Sequence, residues 1–259
     1  MDGLDKLIGQ IPAFLLTGVR VTGLLYLNPV FGRRSVPAVH FIWMTLLLSF
    51  LLFPLARPEG ITGTISLDLV PLMAKELAVG MLMGFTVLLF LESAKYAGRI
   101  AGVHIGFGMA SVMDPVTGEQ GTLVDQLQGM MVLILFLALG GHRMILVALG
   151  ASFRLIPLGA ACFPTNALDG MVRLFCQVIV LGVQIASPVL ASVFLAEAAI
   201  GILSRSVPQM NIFTVGLPLR IVLGGLVLIA TMPVFINLMR GAIQTIPAEL
   251  QGLILQLAP

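Results

Sequence analysis

The chain has 259 residues, of which 58% are hydrophobic and only 10% are charged, and its mean hydropathy is +1.07. This composition is that of an integral membrane protein and excludes an ordinary soluble domain. The formal net charge of +2 is spread along the chain without a basic run, so the sequence indicates no nucleic-acid partner.

Seven apolar blocks follow one another along the chain, at 11–31, 38–56, 77–91, 100–113, 127–151, 171–203 and 207–240. A simple membrane crossing needs about 20 apolar residues to match a hydrocarbon core about 30 Å thick. The first two blocks fit that length, the third and fourth are shorter, and the last two are longer. Arg33 and Arg34 follow the first block and Lys95 and Arg99 follow the third, which weakly favours a cytoplasmic side for both pairs.

Prolines inside the long blocks predict kinks or breaks, because each removes a backbone donor. They are Pro188, Pro208, Pro218 and Pro233. Backbone groups freed at a break within a membrane must be covered by protein or line a cavity. We therefore predict an all-α fold, a polytopic hydrophobic chain of kinked, broken helical hairpins that pack against partner subunits.

Small residues recur at every fourth position ahead of the middle of the chain, at Ala94, Gly98, Gly102, Gly106 and Ala110. On a helix they form one face with almost no side chain, which favours close helix packing. One interpretation is ordinary membrane-helix packing. The other is a helix wedged between neighbouring subunits that unwinds after residue 105.

Charged residues within apolar sequence should face protein or water, since a charge at the bilayer centre costs about 2.5–3.5 kcal/mol or more. We assign an inter-subunit or intramembrane role to Arg20, Glu92, Lys95, Glu197 and Arg205. Glu92 and Lys95 are three residues apart and could pair on one helix face. Arg240 has the same apolar surroundings.

The residues Gly141, His142 and Arg143 follow Gly140 in the middle of an apolar run. This pattern predicts two half-helices with a polar joint. As a hypothesis, His142 bonds backbone groups freed at the break or contacts a neighbouring subunit.

The sequence has no GxxxxGK[ST], HExxH or GxSxG pattern and no Cys/His cluster. We therefore expect no enzyme, no catalytic residue, no cofactor and no metal. A secondary transporter would also show broken helices and midplane charges, but it usually carries an internal repeat, and none is convincing here. An intramembrane hydrolase would need a paired nucleophile and base, and none is visible.

Four segments resemble the FliR and SctT family of export-gate subunits from bacterial flagella and injectisomes. They are VRVTGLLYLNPVFGRRSVP, AGRIAGVHIGFGMASVMDPVTGEQ, LFLALGGHRMILVALGASFRLIPLG and GILSRSVPQMNIFTVGLPL. The resemblance extends over nearly the whole chain, which indicates a single domain over residues 1–259.

The resemblance implies a non-enzymatic core subunit of the type III protein export gate. The implied partners are FliP and FliQ subunits, FlhB-like and FlhA-like export components, and unfolded protein substrates. The implied location is the bacterial inner membrane in the flagellar basal body, with the assembly projecting to the periplasmic side. An injectisome SctT homologue is the first alternative, and a small-molecule secondary transporter is another.

The family's plug loop corresponds here to about residues 106–122. Its expected plug residues are Gly106, Phe107, Gly108, Met109, Ala110, Val112, Met113, Asp114 and Pro115. Apolar side chains can close a narrow pore by excluding water, and glycines let the segment yield. Asp114, Glu119 and Asp125 are expected to form a hydrated acidic turn that matters less for sealing. The alternative is a buried re-entrant turn that never gates.

Overall fold

The computed structural model describes residues 2–32, 37–56, 69–110, 112–113, 120–206 and 212–259. Within these ranges the fold consists of long helices, and the predicted all-α class is confirmed. The helices are α1 Asp2–Leu27, α2 Ala38–Leu52, α3 Leu69–Ile105, α4 Leu123–Ala138, α5 Gly141–Leu155, α6 Thr165–Ser206 and α7 Ile212–Leu257. Short additions are the 3₁₀ turns Phe53–Leu55 and Phe107–Ala110 and the two-residue strands β1 Val112–Met113 and β2 Gln120–Gly121.

Five helical stretches among the described residues are long and apolar enough to cross a membrane. They are Gly9–Leu27, Ala38–Leu55, Leu69–Ile105, Ala167–Arg205 and Gly216–Leu257. Helices α4 and α5 pass the same criterion as a pair, which gives up to six spans, and the chain bends by 64° between them. The polytopic character predicted from composition is therefore present.

The third and fourth apolar blocks are not separate crossings, because α3 runs through both as one helix of 37 residues. Lys95 and Arg99 therefore lie within a helix. Both cations are accommodated on the helix by nearby carboxylates. Lys95 Nζ lies 2.8 Å from Glu92 Oε1, and Arg99 Nε lies 3.3 Å from Asp125 Oδ2. Charges that find partners along a helix do not require the helix to end.

The long helices also continue through their prolines. Pro188 lies inside α6, and Pro218 and Pro233 lie inside α7, so the breaks predicted there are absent. Long apolar helices tolerate proline because neighbouring groups and local adjustment satisfy the freed carbonyl. Pro208 lies outside the described residues. The break predicted before His142 is present, since Gly140 adopts a left-handed φ of 73° between α4 and α5.

The chain forms two compact units. The first comprises Met1–Leu89, Gly140–Leu174 and Gln244–Pro259, and the second comprises Phe90–Leu139 and Phe175–Ile243. The helices α3, α6 and α7 each contribute residues to both units. The single domain over residues 1–259 stays a prediction.

In the first unit, α1 and α3 cross at backbone contact. A Cβ at Gly23 would lie 2.7 Å from the Leu77 carbonyl oxygen, and one at Gly84 would lie 2.6 Å from the Leu24 carbonyl oxygen. At Gly80 an added Cβ would collide with the Arg20 carbonyl. The glycines on α3 thus let α1 approach closely, which is the packing that small residues favour in membrane helices.

In the second unit, a small apolar core lies beneath the end of α3. Its buried members are Ala101, Ile105, Val124, Val189 and Val193, contributed by α3, α4 and α6. Phe107, Ile221, Val227 and Leu228 pack against it. This core fixes the point from which the candidate plug segment leaves α3.

Candidate functional site

The candidate plug segment begins where α3 ends at Ile105. The Gly106 N–H donates to the carbonyls of Gly102 and Val103, both at 3.2 Å, and Gly106 has a φ of 110°. A Cβ at this position would lie 2.7 Å from Leu217 Cδ1. Only glycine adopts this backbone conformation without strain. Gly106 alone therefore determines the direction in which the segment leaves α3.

The described plug residues lie close to that exit. Phe107 is half-buried against the second unit's core, and Gly108 is exposed. Among the remaining predicted plug residues, Met109 and Ala110 continue the 3₁₀ turn, and Val112 and Met113 form β1. Asp114 and Pro115 lie outside the described residues.

The segment returns through β2 and the start of α4. In the antiparallel pair, Val112 lies opposite Gly121 and Met113 lies opposite Gln120, so the two arms meet at their base. Thr122 then caps α4 in a capping box with Asp125. The Asp125 N–H donates to Thr122 Oγ1 at 3.3 Å, and the Thr122 N–H donates to Asp125 Oδ2 at 3.1 Å.

The small-residue face of α3 holds this returning arm. A Cβ at Gly98 would lie 2.6 Å from Asp125 Cα, and one at Gly102 would collide with the Thr122 side chain. Thr122 Oγ1 also lies 3.5 Å from the Gly98 carbonyl oxygen. Ala94, one turn earlier, is fully buried. The predicted small face therefore lies against α4 in the same chain around the Gly98 and Gly102 positions.

Asp125 does not lie in the hydrated turn that the sequence suggested. It is 4% exposed, caps α4, and accepts a hydrogen bond from Arg99, whose side chain is half exposed. The expectation that Asp125 belongs to a hydrated acidic turn is therefore wrong, because its carboxylate is part of the anchor. The sequence signal was a Thr followed three residues later by an acidic residue before an apolar run.

Two further ion pairs lie in the second unit. The predicted pair of Glu92 with Lys95 is confirmed at 2.8 Å, and the stem of Lys95 covers Gly129 of α4. Glu197 of α6 lies 3.0 Å from Arg220 of α7. Half-exposed pairs of this kind contribute about 0–1 kcal/mol each.

A cleft of about 390 Å³ opens beside the end of α3. It is lined by His104, Leu190, Ala191, Val193, Phe194 and Glu197. The apolar members come from α6, and Val193 belongs to the core below the plug exit.

Arg20 occupies a fully buried polar site in the first unit. Its guanidinium forms two bonds to Glu76, at 2.5 and 3.0 Å, and both side chains are 0% exposed. It also donates to the Ile156 carbonyl at 3.2 Å, and its charge lies 4.6 Å from the centre of the Phe153 ring. Glu76 in turn accepts the Gly159 N–H at 2.8 Å. The network joins α1, α3 and the end of α5.

The sequence identified Arg20 but missed Glu76. Glu76 lies in the second turn of α3 and pairs with Arg20 there. A charge buried in apolar sequence needs a counter-charge, so Arg20 indicates that a carboxylate partner exists but not which one.

At the joint between α4 and α5, backbone N–H groups are paired with a backbone carbonyl of the same segment. The Arg143 and Met144 N–H groups both donate to the Gly140 carbonyl, at 2.9 and 3.1 Å. Gly141 is buried, while His142 and Arg143 are exposed. The structure therefore gives no support to the hypothesis that His142 bonds freed backbone groups, and the subunit contact stays a prediction.

Arg205 lies exposed near the end of α6, and its inter-subunit role stays a prediction. Among the residues that the structure describes, no three His, Cys, Asp or Glu side chains are grouped as metal ligands.

These features define a polytopic, all-α membrane protein in which a loop is anchored at both ends on one long helix. Residues 11–246 match the family described as bacterial export proteins, family 1, and the chain belongs to this family. Its relatives include flagellar biosynthetic FliR proteins and a Yop proteins translocation protein.

The flagellar biosynthetic protein FliR of Bacillus subtilis is 33% identical over 242 residues, covering 92% of each chain. The FliR protein of Escherichia coli is 26% identical over 215 residues, covering 83% of this chain and 82% of the relative. The Yop proteins translocation protein T of Yersinia pestis is 26% identical over 185 residues, covering 70% of each. Similarity thus extends from flagellar biosynthetic proteins to a Yop proteins translocation protein.

Proposed function

We propose that this chain is a non-enzymatic core subunit of the bacterial type III protein export gate in flagellar biosynthesis. It assembles with FliP and FliQ subunits, and the segment 106–122 plugs the protein-conducting channel. FlhB-like and FlhA-like components work beside the gate, and unfolded proteins are its substrates. The gate lies in the inner membrane within the flagellar basal body and projects to the periplasmic side.

The observation that carries the plug assignment is the anchoring of a short loop at both ends. Gly106 releases the chain from α3, and the capping box at Thr122 and Asp125 returns it beside Gly98. Between these points lie a phenylalanine, two methionines and two valines. A loop with fixed stems and apolar residues in its first arm can seal a pore and yield as a unit, because the stems remain packed on α3.

The assembly is supported by apolar surface that one bilayer cannot cover. The 42 residues of α6 and the 46 of α7 make helices about 63 and 69 Å long at about 1.5 Å per residue. A hydrocarbon core is only about 30 Å thick. Yet only 33% and 11% of the apolar windows in these helices are buried within the chain. Neighbouring subunits are the natural cover for the remainder.

The injectisome is the second candidate, and the similarity to the Yersinia pestis translocation protein favours it. The flagellar assignment has the stronger support, because the Bacillus subtilis relative is more similar and covers 92% of both chains.

Native mass measurement of the chain co-expressed with FliP-like and FliQ-like subunits tests the assembly. We expect one hetero-oligomeric species that contains all three kinds of subunit, and an ill-defined or aggregated product from the chain alone. A homogeneous, heat-stable monomer that does not bind the co-expressed subunits would contradict the proposal.

A further inference from the structure

One exposed stripe of α7 carries a cation in an otherwise apolar surface. Its members are spaced by three or four residues and are Ile229, Pro233, Ile236 and Arg240. The flank of the helix formed by Phe235 and Met239 is 4% and 0% exposed, so α7 packs its own chain there. The stripe from Ile229 to Arg240, called here the Arg240 stripe, is left uncovered.

Arg240 forms no ion pair in the part of the chain that the structure describes. The carboxylates of Glu76, Glu92, Asp125 and Glu197 are each paired with a different cation. A guanidinium in a surface that lipid or protein covers is costly without an anion to face it. Arg240 therefore calls for a negative charge that the described residues do not supply.

The surroundings of Arg240 leave room for a protein backbone. A Cβ at Gly241 would have no atom within 4 Å, so a neighbouring helix can approach closely beside the guanidinium. Asn237, one turn earlier, is exposed and offers an amide to polar groups. Lipid can cover only about 20 of the 46 residues of α7. These features together favour a protein partner over a lipid headgroup.

We propose that the Arg240 stripe docks an apolar helix of a neighbouring subunit that carries an Asp or Glu opposite Arg240. The apolar residues Ile229 and Ile236 pack against that helix, and the ion pair sets its register. The inference rests on the proposed assembly into a multi-subunit gate and adds the chemistry of one contact.

The test uses the complex co-expressed with its partner subunits. The variants are Arg240→Glu, Arg240→Gln and Arg240→Lys, with Arg173→Gln as the matched control. Arg173 is likewise an exposed arginine on a long apolar helix, but it donates to its own backbone at the Asp169 carbonyl. A photocrosslinking residue at position 236 identifies the facing peptide.

We expect Arg240→Glu to lower the yield of intact complex about 30-fold, as removal of a buried interfacial charge partner does. Arg240→Gln should lower it less, while Arg240→Lys and Arg173→Gln should stay near the wild type. The crosslinked peptide should contain an Asp or Glu, and changing that residue to Arg should restore assembly of Arg240→Glu.

Wild-type yield from Arg240→Glu, or crosslinks to lipid alone or to a peptide without a carboxylate, would overturn the inference and leave the proposed function standing. Failure of the wild-type chain to join any complex would instead refute the proposed function, and this contact with it.

Discussion

Gly98 of α3 lies directly against the backbone of Asp125 in α4, where an added Cβ would be 2.6 Å from the Asp125 Cα. The atoms that a Cβ would meet belong to the main chain. They cannot rotate away, whereas the end of a flexible side chain could. Asp125 also caps α4 and faces Arg99. This contact therefore positions the returning arm of the candidate plug.

Replacing Gly98 by Ala should push α4 away from α3. We expect the purified complex to lose about 1–3 kcal/mol of stability, the range found for overpacked cores, seen as a lower unfolding temperature. Gly225→Ala in α7 is the control, because a Cβ there meets no atom within 4 Å and alanine favours helix. Equal effects of the two substitutions would show that the α3–α4 contact is not tight.

Replacing Gly106 by Ala should disturb the exit of the plug. Its φ of 110° strains any residue with a Cβ, at a cost of about 1–2 kcal/mol, and the new methyl would also meet Leu217. We expect a higher resting conductance of the purified complex. Gly108→Ala is the control, since its Cβ would lie at an ordinary 3.5 Å from Val103. If Gly108→Ala leaked as much, the φ argument would lose its basis.

Breaking the buried pair of Arg20 and Glu76 should destabilise the first unit strongly. Both side chains are 0% exposed, so Glu76→Gln leaves an uncompensated charge and should cost about 3–5 kcal/mol. The double substitution Arg20→Leu with Glu76→Leu should cost less than the sum of the single leucine variants, because no buried charge remains.

Thermal unfolding of the complex measures this coupling. The comparison variant is Glu92→Gln, which removes a half-exposed pair and should cost about 0–1 kcal/mol. Strict additivity of Arg20→Leu and Glu76→Leu would mean that the pair does not act as a unit.

Replacing His142 by Leu should weaken assembly if this exposed side chain contacts a neighbouring subunit. The backbone at the joint is already bonded through the Gly140 carbonyl, so the fold of the chain should be unaffected. His40→Leu is the matched control, because His40 is also exposed on an apolar helix. Unchanged complex yield and unchanged secretion in both variants would leave His142 without a role.

The sequence predicted the fold class and the joint at Gly140 because both depend on local signals. The apolar composition predicts a membrane environment, and the glycine pair before His142 predicts the break between α4 and α5. The continuity of α3 through the third and fourth apolar blocks was missed because Lys95 and Arg99 interrupt the apolar sequence there. Glu92 lies three residues from Lys95, whereas Asp125 lies 26 residues from Arg99.

The partner of Arg20 could not be predicted for the same reason. Glu76 is 56 residues away, and the two meet only because glycines let α1 and α3 cross at backbone contact. The plug segment is a contrasting case. Its exit at Gly106 follows from a local glycine pattern, but the anchoring of its return depends on packing between α3 and α4.

Conductance recording on the purified complex is the most direct test of the central claim that the segment 106–122 seals the channel. Deleting residues 106–113 should open a leak to small ions while the complex still assembles, because assembly surface is spread over α6 and α7. Replacing Phe107, Met109 and Met113 by Ser should give a milder leak, since polar side chains favour water in a narrow constriction. A deletion complex that stays as tight as the wild type would contradict the claim.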